Sequence, residues 1–171
     1  MTIAGSILEP AQDRAVDDRS LRRFVGYGVK RASLAIELDL TGILRDLGFR
    51  LTTFSALALV IDNPDSTQTQ LAAALEIERS SCVFVVDDLE QRGLITRNRV
   101  PGDRRSYALR ATPRGIRTFG EARRKVEAHE ARLFAGLDDG ERELIKALLW
   151  KVEVAARATA APRNNAEEPA A

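Results

Sequence analysis

The chain has 171 residues, 44% of them hydrophobic and 30% charged, and this composition excludes a disordered or fibrous protein; the net charge of +1 alone indicates no partner. The single cysteine, Cys82, and the single histidine, His129, exclude an intramolecular disulfide and a multi-Cys/His zinc site and argue against a catalytic triad, so we expect no enzyme, metal or cofactor. Because no apolar run reaches the length of a transmembrane helix and no signal sequence is evident, we expect a cytoplasmic protein without a membrane partner.

The first part of the chain predicts an arm followed by two helices. Residues 1–19 show no sustained period and are interpreted as a flexible N-terminal arm. A long helical pattern begins at Ser20 and stops at Gly48, so residues 20–52 form an N-terminal helical segment. A shorter helix follows from about Thr53.

Two short helices separated by a tight turn are predicted next. Thr67 and Gln70 have the spacing of a capping box, which starts the first of them. The second runs from Arg79 to Arg92 and is closed by Gly93. Its apolar residues recur at helical spacing and predict one buried stripe, formed by Cys82, Val85, Val86 and Leu89.

The hydrophobic pattern then changes from that of a helix to that of a β-hairpin, and two long helices follow. Residues 94–100 and 106–109 are predicted strands on either side of a Pro-Gly-Asp turn. Thr112 is a predicted N-cap with Pro113 after it, and Asp138 with Glu141 forms a second capping box. The last helix is expected to bury Ile145, Leu148, Leu149 and Val152.

The predicted fold is therefore mainly α with a small β-hairpin wing: a winged helix-turn-helix flanked by long dimerisation helices. The DNA-binding lobe spans residues 53–112, and the dimerisation helices span residues 20–52 and 113–157. Residues 158–171 are expected to be a disordered tail. The flanking helices carry more apolar residues than the winged domain can cover, which favours a homodimer.

The second helix of the pair has the size to enter the major groove of double-stranded DNA. Its outward side, including Asp87, faces base edges and phosphates, and the first helix crosses the backbone. Val83 and Phe84 leave two interpretations open, since they either pack against another part of the protein or contact thymine methyl groups. The expected DNA contacts from the two helices are Thr67, Gln68, Arg79, Ser80, Ser81, Val83 and Phe84.

The hairpin tip carries a second candidate DNA contact. Eight arginines lie between Arg92 and Arg117 with Asp103 as the one acid among them, which gives a local charge of +7. Arg104 and Arg105 stand at the tip, where a side chain can reach a narrow minor groove. Asp103 can orient Arg105 by a charge-assisted hydrogen bond. The alternative is a solvated hairpin whose charges protect a sheet edge.

These residues resemble the MarR family of bacterial transcriptional regulators. The resemblance covers about Leu21 to Val152 and depends on Leu89-Glu90-Gln91-Arg92-Gly93-Leu94-Ile95, on Asp103-Arg104-Arg105-Ser106-Tyr107-Ala108-Leu109 and on Thr112-Pro113-Arg114-Gly115. It implies a homodimer that binds a palindromic operator, usually as a repressor released by a small ligand. It also implies that Arg105 enters the minor groove with Asp103 as its orienting partner. Glu76 and Asp88 depart from the family, which often has glycine and arginine there.

The resemblance also implies a ligand cleft between the dimer helices and the DNA-binding lobe. The effector is expected to be a small molecule such as an aromatic carboxylate or its coenzyme A thioester, although Lys30 and Arg31 also fit a solvated basic turn of a helix. Cys82 is expected to pack in the core and His129 to be solvated. The candidate ligand-binding residues are Tyr27, Lys30, Arg31, Arg45 and Phe54.

One alternative function remains from the sequence. The winged helix can serve as a protein-interaction module without specific DNA binding, with Val83 and Phe84 as its docking patch.

Overall fold

The computed structural model describes residues 16–100 and 103–159, without the side chains of residues 100–106. The chain divides into two compact units, Met1–Leu51 and Thr52–Ala171. Most of the predicted arm and tail falls outside the described residues, so both remain predictions.

The helix of the first unit begins later than the sequence predicts. A 3-10 turn over Leu21–Arg23 precedes Phe24, whose backbone is extended (φ −96°, ψ 123°), and α1 spans Val25–Asp46. The prediction of one helix from Ser20 is therefore wrong in its first turn. The cause is local, because the Asp18 carboxylate accepts hydrogen bonds from the side chains of Arg22 and Tyr27, both at 2.9 Å, and holds this segment in its turn.

The second unit contains the remaining helices and a small sheet. Its elements are α2 (Leu51–Asp62), β1 (Ser66–Thr67), α3 (Gln68–Ala74), α4 (Arg79–Gln91), β2 (Ile95–Val100), β3 (Asp103–Ala111), α5 (Pro113–Leu133) and α6 (Asp139–Thr159). The prediction of a mainly α fold with a hairpin wing is confirmed.

The sheet has one strand more than the sequence predicts. Its order is β1-β3-β2 and all pairs are antiparallel. Strand β1 pairs Ser66 with Leu109 and Thr67 with Ala108. A strand of two residues has no periodicity that a sequence pattern can show. Its pairing fixes the start of α3 beside the wing.

The core of the second unit is made by one face each of α2, α3, α4, α5, β2 and β3. Leu57 and Val60 of α2, Leu89 of α4 and Leu109 of β3 are fully buried. Both capping boxes are present as predicted, at the start of α3 and before α6. The helix ends are therefore determined by hydrogen bonds between residues close in sequence. The faces that point into the core are determined by the burial of apolar side chains.

Helices α5 and α6 correct two predictions about burial. His129, expected to be solvated, is 5% exposed, because it follows the buried Gly115 and Ala122 at seven-residue intervals on one side of α5. The α6 side chains expected to be buried are instead 38–54% exposed: Ile145, Leu148, Leu149 and Val152. Among the described helices, none is long and apolar enough to cross a membrane.

Three helices end in the same turn, with one residue in the left-handed region after the C-cap. These residues are Gly48 (φ +72°) after α1, Glu76 (φ +54°) after α3 and Gly93 (φ +66°) after α4. Glycine adopts this conformation at no steric cost, whereas a side chain costs about 1–2 kcal/mol. The turn of the helix-turn-helix is therefore the strained one of the three.

We expect Glu76→Gly to be more stable than Glu76→Ala by about 1 kcal/mol, because glycine relieves the left-handed strain and alanine does not. Both variants lose the same exposed ion pair to Arg157 (2.9 Å), so the comparison isolates the backbone. Urea unfolding of the two variants measures the difference. Equal midpoints would mean that the turn carries no strain.

Candidate nucleic-acid interface

Helices α3 and α4 are joined by a short turn, and the start of α3 is fixed by capping. The Gln70 N–H donates to Thr67 Oγ1 at 3.3 Å, and the Thr67 N–H donates to Gln70 Oε1 at 2.8 Å. The Thr67 hydroxyl also donates to Gln70 Oε1, so it is engaged within α3 itself. Gln68 is half-buried and its carbonyl oxygen accepts from the Cys82 thiol at 3.5 Å.

The buried stripe of α4 is present as predicted. Cys82, Val86 and Leu89 are fully buried and Val85 is partly buried. Burial raises the pKa of the Cys82 thiol, with the positive charge of Arg97 as a smaller opposing influence. A buried thiol of raised pKa is a poor nucleophile, and Cys82 is a packing residue of the core.

The predicted DNA contacts on α4 are exposed, in its first turn and on the side opposite the stripe. Arg79, Ser80 and Ser81 are exposed in its first turn. Phe84 is 74% exposed and Val83 43% exposed, so neither is buried within the described chain. Successive residues of a helix turn by about 100°, which places Phe84 opposite the stripe that contains Cys82.

Arg97 of β2 forms ion pairs with two carboxylates of α4. Its guanidinium donates to Glu90 Oε2 at 2.8 Å and forms a second short ion pair with Asp87. The Arg97 N–H also donates to Glu90 Oε1 at 3.3 Å. Asp87, predicted to face DNA, thus has its carboxylate paired with the wing.

Two more arginines of the predicted basic strip have acidic partners. Arg92 lies 3.3 Å from Asp88, the residue that departs from the family pattern. Arg110 forms a two-pronged hydrogen bond with Asp65, at 2.6 and 2.5 Å, which lowers the pKa of that carboxyl. The local charge of +7 counted along the chain is thus reduced by acids that lie elsewhere in the sequence.

The wing tip is described only in part. The backbones of β2 and β3 pair up to Val100 and Asp103, with an irregularity between Arg99 and Val100. Pro101, Gly102 and the side chains of Asp103, Arg104 and Arg105 lie outside the described residues. Their contacts with DNA remain predictions.

The turn from the wing into α5 contains a contact that the sequence pattern does not predict. The Thr112 hydroxyl donates to the carbonyl of Gly93 at 2.7 Å and accepts from the Gly115 N–H at 2.9 Å. A Cβ on Gly115 would lie 2.0 Å from the Leu94 carbonyl oxygen. The Thr-Pro-Arg-Gly motif therefore brings the start of α5 directly against the end of α4.

The candidate ligand residues are distributed over two helices. Tyr27, Lys30 and Arg31 share one face of α1. Arg45 lies on the same face, about 27 Å from Tyr27 along the helix axis at a rise of about 1.5 Å per residue. Tyr27 is bonded to Asp18, as described above. Phe54 belongs to α2 and stacks on Phe119 of α5, with ring centres 5.2 Å apart.

A metal centre has no support in the described part of the chain. Over residues 16–100 and 103–159, no group of three or more His, Cys, Asp or Glu side chains could hold a metal ion.

Comparison with known proteins identifies the family to which the helix-turn-helix and wing belong. A sequence profile described as the MarR family matches residues 47–106. A solved structure of the transcriptional repressor CouR bound to a 23-mer DNA duplex is 34% identical, with a TM-score of 0.75, and the match covers 82% of this chain and 99% of that one. The chain belongs to the MarR family. The resemblance inferred from the sequence is thus confirmed.

Two further relatives extend the comparison. CouR from Rhodococcus jostii RHA1 bound to p-coumaroyl-CoA is 28% identical with a TM-score of 0.69, over 77% of this chain and 93% of that one. A proposed transcriptional regulatory protein for the hcr operon of Thauera aromatica is 38% identical over 99 residues. That match covers 58% of this chain and 60% of the relative, so it spans less than two thirds of the curated protein.

Proposed function

We propose that this MarR-family protein is a homodimeric transcriptional repressor in the cytoplasm, which binds a palindromic operator and leaves it when a small ligand binds. The observation that carries the proposal is the exposed side of α4, where Arg79, Ser80, Ser81 and Phe84 face outward from a helix held by its buried stripe. A helix of this kind fits the major groove. The relative bound to a DNA duplex supports the same partner.

The exposed apolar side of α6 supports the homodimer. Leu144, Leu148 and Val152 are exposed at four-residue intervals on a helix without a buried residue. They form one apolar face, and an exposed apolar face of this kind marks an interaction surface. In a symmetric dimer the two α4 helices would lie about one turn of DNA apart, roughly 34–36 Å. That spacing suits the two halves of a palindrome.

We expect Arg105→Ala to weaken binding to the DNA upstream of its own gene by roughly tenfold or more, while sedimentation still shows a dimer. Titrations at several salt concentrations measure the affinity, and the wild type should give a steep falling log–log slope. Arg123→Ala is the matched control, since Arg123 is an exposed arginine on α5 that pairs with Glu127 at 3.2 Å. A wild type with no salt-dependent DNA binding would favour the protein-interaction module. Equal loss in both variants would remove the wing from the mechanism.

The proposed effector is an aromatic carboxylate or its coenzyme A thioester. The CouR relative bound to p-coumaroyl-CoA supports the thioester. Lys30 and Arg31 are exposed on adjacent positions of α1 and supply two cations for phosphate or carboxylate groups.

We expect p-coumaroyl-CoA to raise the melting temperature of the protein and to release the upstream DNA, since a ligand that binds the folded state stabilises it by mass action. The double variant Lys30→Gln, Arg31→Gln should lose most of this shift, and Arg123→Ala should keep it. Free p-coumarate and coenzyme A are tested separately, so the responding part of the molecule is identified. Without a shift by any of the three, this effector class is wrong.

A further inference from the structure

Phe84 is strongly exposed on the α4 surface that we assign to DNA, although it is the least polar residue there. Its ring is 74% exposed, and the neighbouring Val83 is 43% exposed. Both lie in the N-terminal half of α4, and the N-terminal part of a recognition helix is the part that contacts base edges. An aromatic ring left in water at this position needs an apolar partner to be favourable.

The charges around Phe84 favour a polyanion as that partner. Arg79, Ser80 and Ser81 are exposed on the preceding turn and offer a cation and two hydroxyl donors. The carboxylates of Asp87 and Glu90 on the following turns share an ion pair with Arg97, and that of Asp88 is paired with Arg92. Phe84 therefore lies on the same side of α4 as two hydroxyl donors, with one exposed cation in the first turn and no unpaired carboxylate on the following turns, which suits a surface that meets phosphates.

The floor of the major groove presents mainly polar atoms to such a patch. Donors and acceptors distinguish the base pairs there, and the methyl group at C5 of thymine is the apolar feature. Building on the proposed function, we infer that Phe84, the more exposed of the two, recognises a thymine methyl group in each operator half-site. Phe84 is thereby a specificity-determining residue, and Arg79 contributes affinity.

The test removes the methyl groups and changes nothing else in the base pairs. The DNA upstream of the gene is amplified with dUTP in place of dTTP, which replaces each thymine by uracil. Burial of one methyl group corresponds to about fourfold in affinity, so one contact in each half-site predicts a loss of roughly fifteenfold for the wild type.

Variants of the exposed ring separate a direct contact from an effect on DNA stiffness. Phe84→Ala should bind thymine DNA and uracil DNA equally, and Phe84→Leu should regain part of the preference. Arg79→Ala is the matched control and should bind both DNAs more weakly with the preference intact. Circular dichroism spectra check that each variant is folded, which the exposure of both side chains leads us to expect.

Each result decides the inference. A wild type that binds both DNAs equally, or a Phe84→Ala protein that still prefers thymine, overturns the role of Phe84 and leaves the repressor proposal intact. Failure of the wild type to bind either DNA at low salt overturns the proposed function itself. Wild-type preference that is lost only in Phe84→Ala supports the inference.

Discussion

Gly115→Ala is expected to destabilise the second unit by about 3 kcal/mol, the upper part of the usual range for overpacking. The added Cβ would lie 2.0 Å from the carbonyl oxygen of Leu94 and 2.9 Å from its carbonyl carbon. Both are backbone atoms of a fully packed residue, so no flexible side chain can move aside. The same oxygen accepts a hydrogen bond from the Thr112 N–H at 2.9 Å, which the displaced chain would lose.

The matched control lies on the same helix. A Cβ added at Gly120 of α5 would meet no neighbouring side chain or packed backbone within 4 Å, so Gly120→Ala should stabilise the protein by up to about 1 kcal/mol through helix propensity. Urea unfolding of the two variants should therefore shift in opposite directions. A Gly115→Ala protein as stable as the wild type would show that α5 does not lie against Leu94.

Arg97→Gln is expected to weaken DNA binding more than tenfold, although Arg97 is not one of the residues proposed to contact DNA. The substitution frees the carboxylates of Asp87 and Glu90 beside the DNA-facing side of α4, where they repel phosphates. It also breaks charge-assisted hydrogen bonds of a half-buried side chain, so we expect a loss of about 2 kcal/mol in stability.

Two further variants test whether the loss of affinity comes from the freed carboxylates of α4. Arg110→Gln removes the same charge from β3 and breaks the ion pair with Asp65 without touching α4, so its affinity should fall much less. In Arg97→Gln, adding Asp87→Asn and Glu90→Gln should restore most of the binding. Equal loss in Arg97→Gln and Arg110→Gln would mean that only net charge matters.

Features that depend on neighbours in the chain could be predicted from the sequence. The Thr67 and Gln70 capping box, the Gly93 turn and the buried stripe of α4 are interactions over a few residues, and helical periodicity specifies them. The helix-turn-helix and wing followed from these signals in order. The strain at Glu76 was also visible, because its place at the end of a helix is usually taken by glycine.

Features that depend on residues far apart in the chain could not be predicted from the sequence. The pairing of β1 with β3 joins residues more than forty positions apart, and the contacts of Arg97 with two acids of α4 depend on how the wing folds back. His129 was misjudged from its charged neighbours in sequence, whereas its helical position decides its burial. The apolar pattern of α6 predicts an apolar helix face that packs against a partner, but it does not identify that partner.

The contact of Thr112 with Gly93 has a consequence for how the repressor would respond to an effector. Since the N-cap of α5 is hydrogen-bonded to Gly93, which follows the C-cap of α4, we expect a tilt of α5 to move α4 with it. An inducer that tilts α5 would then reposition α4 without unfolding either helix. In the proposed dimer, we would expect a change in the distance between the two α4 helices to be enough to prevent both from entering successive turns of the major groove.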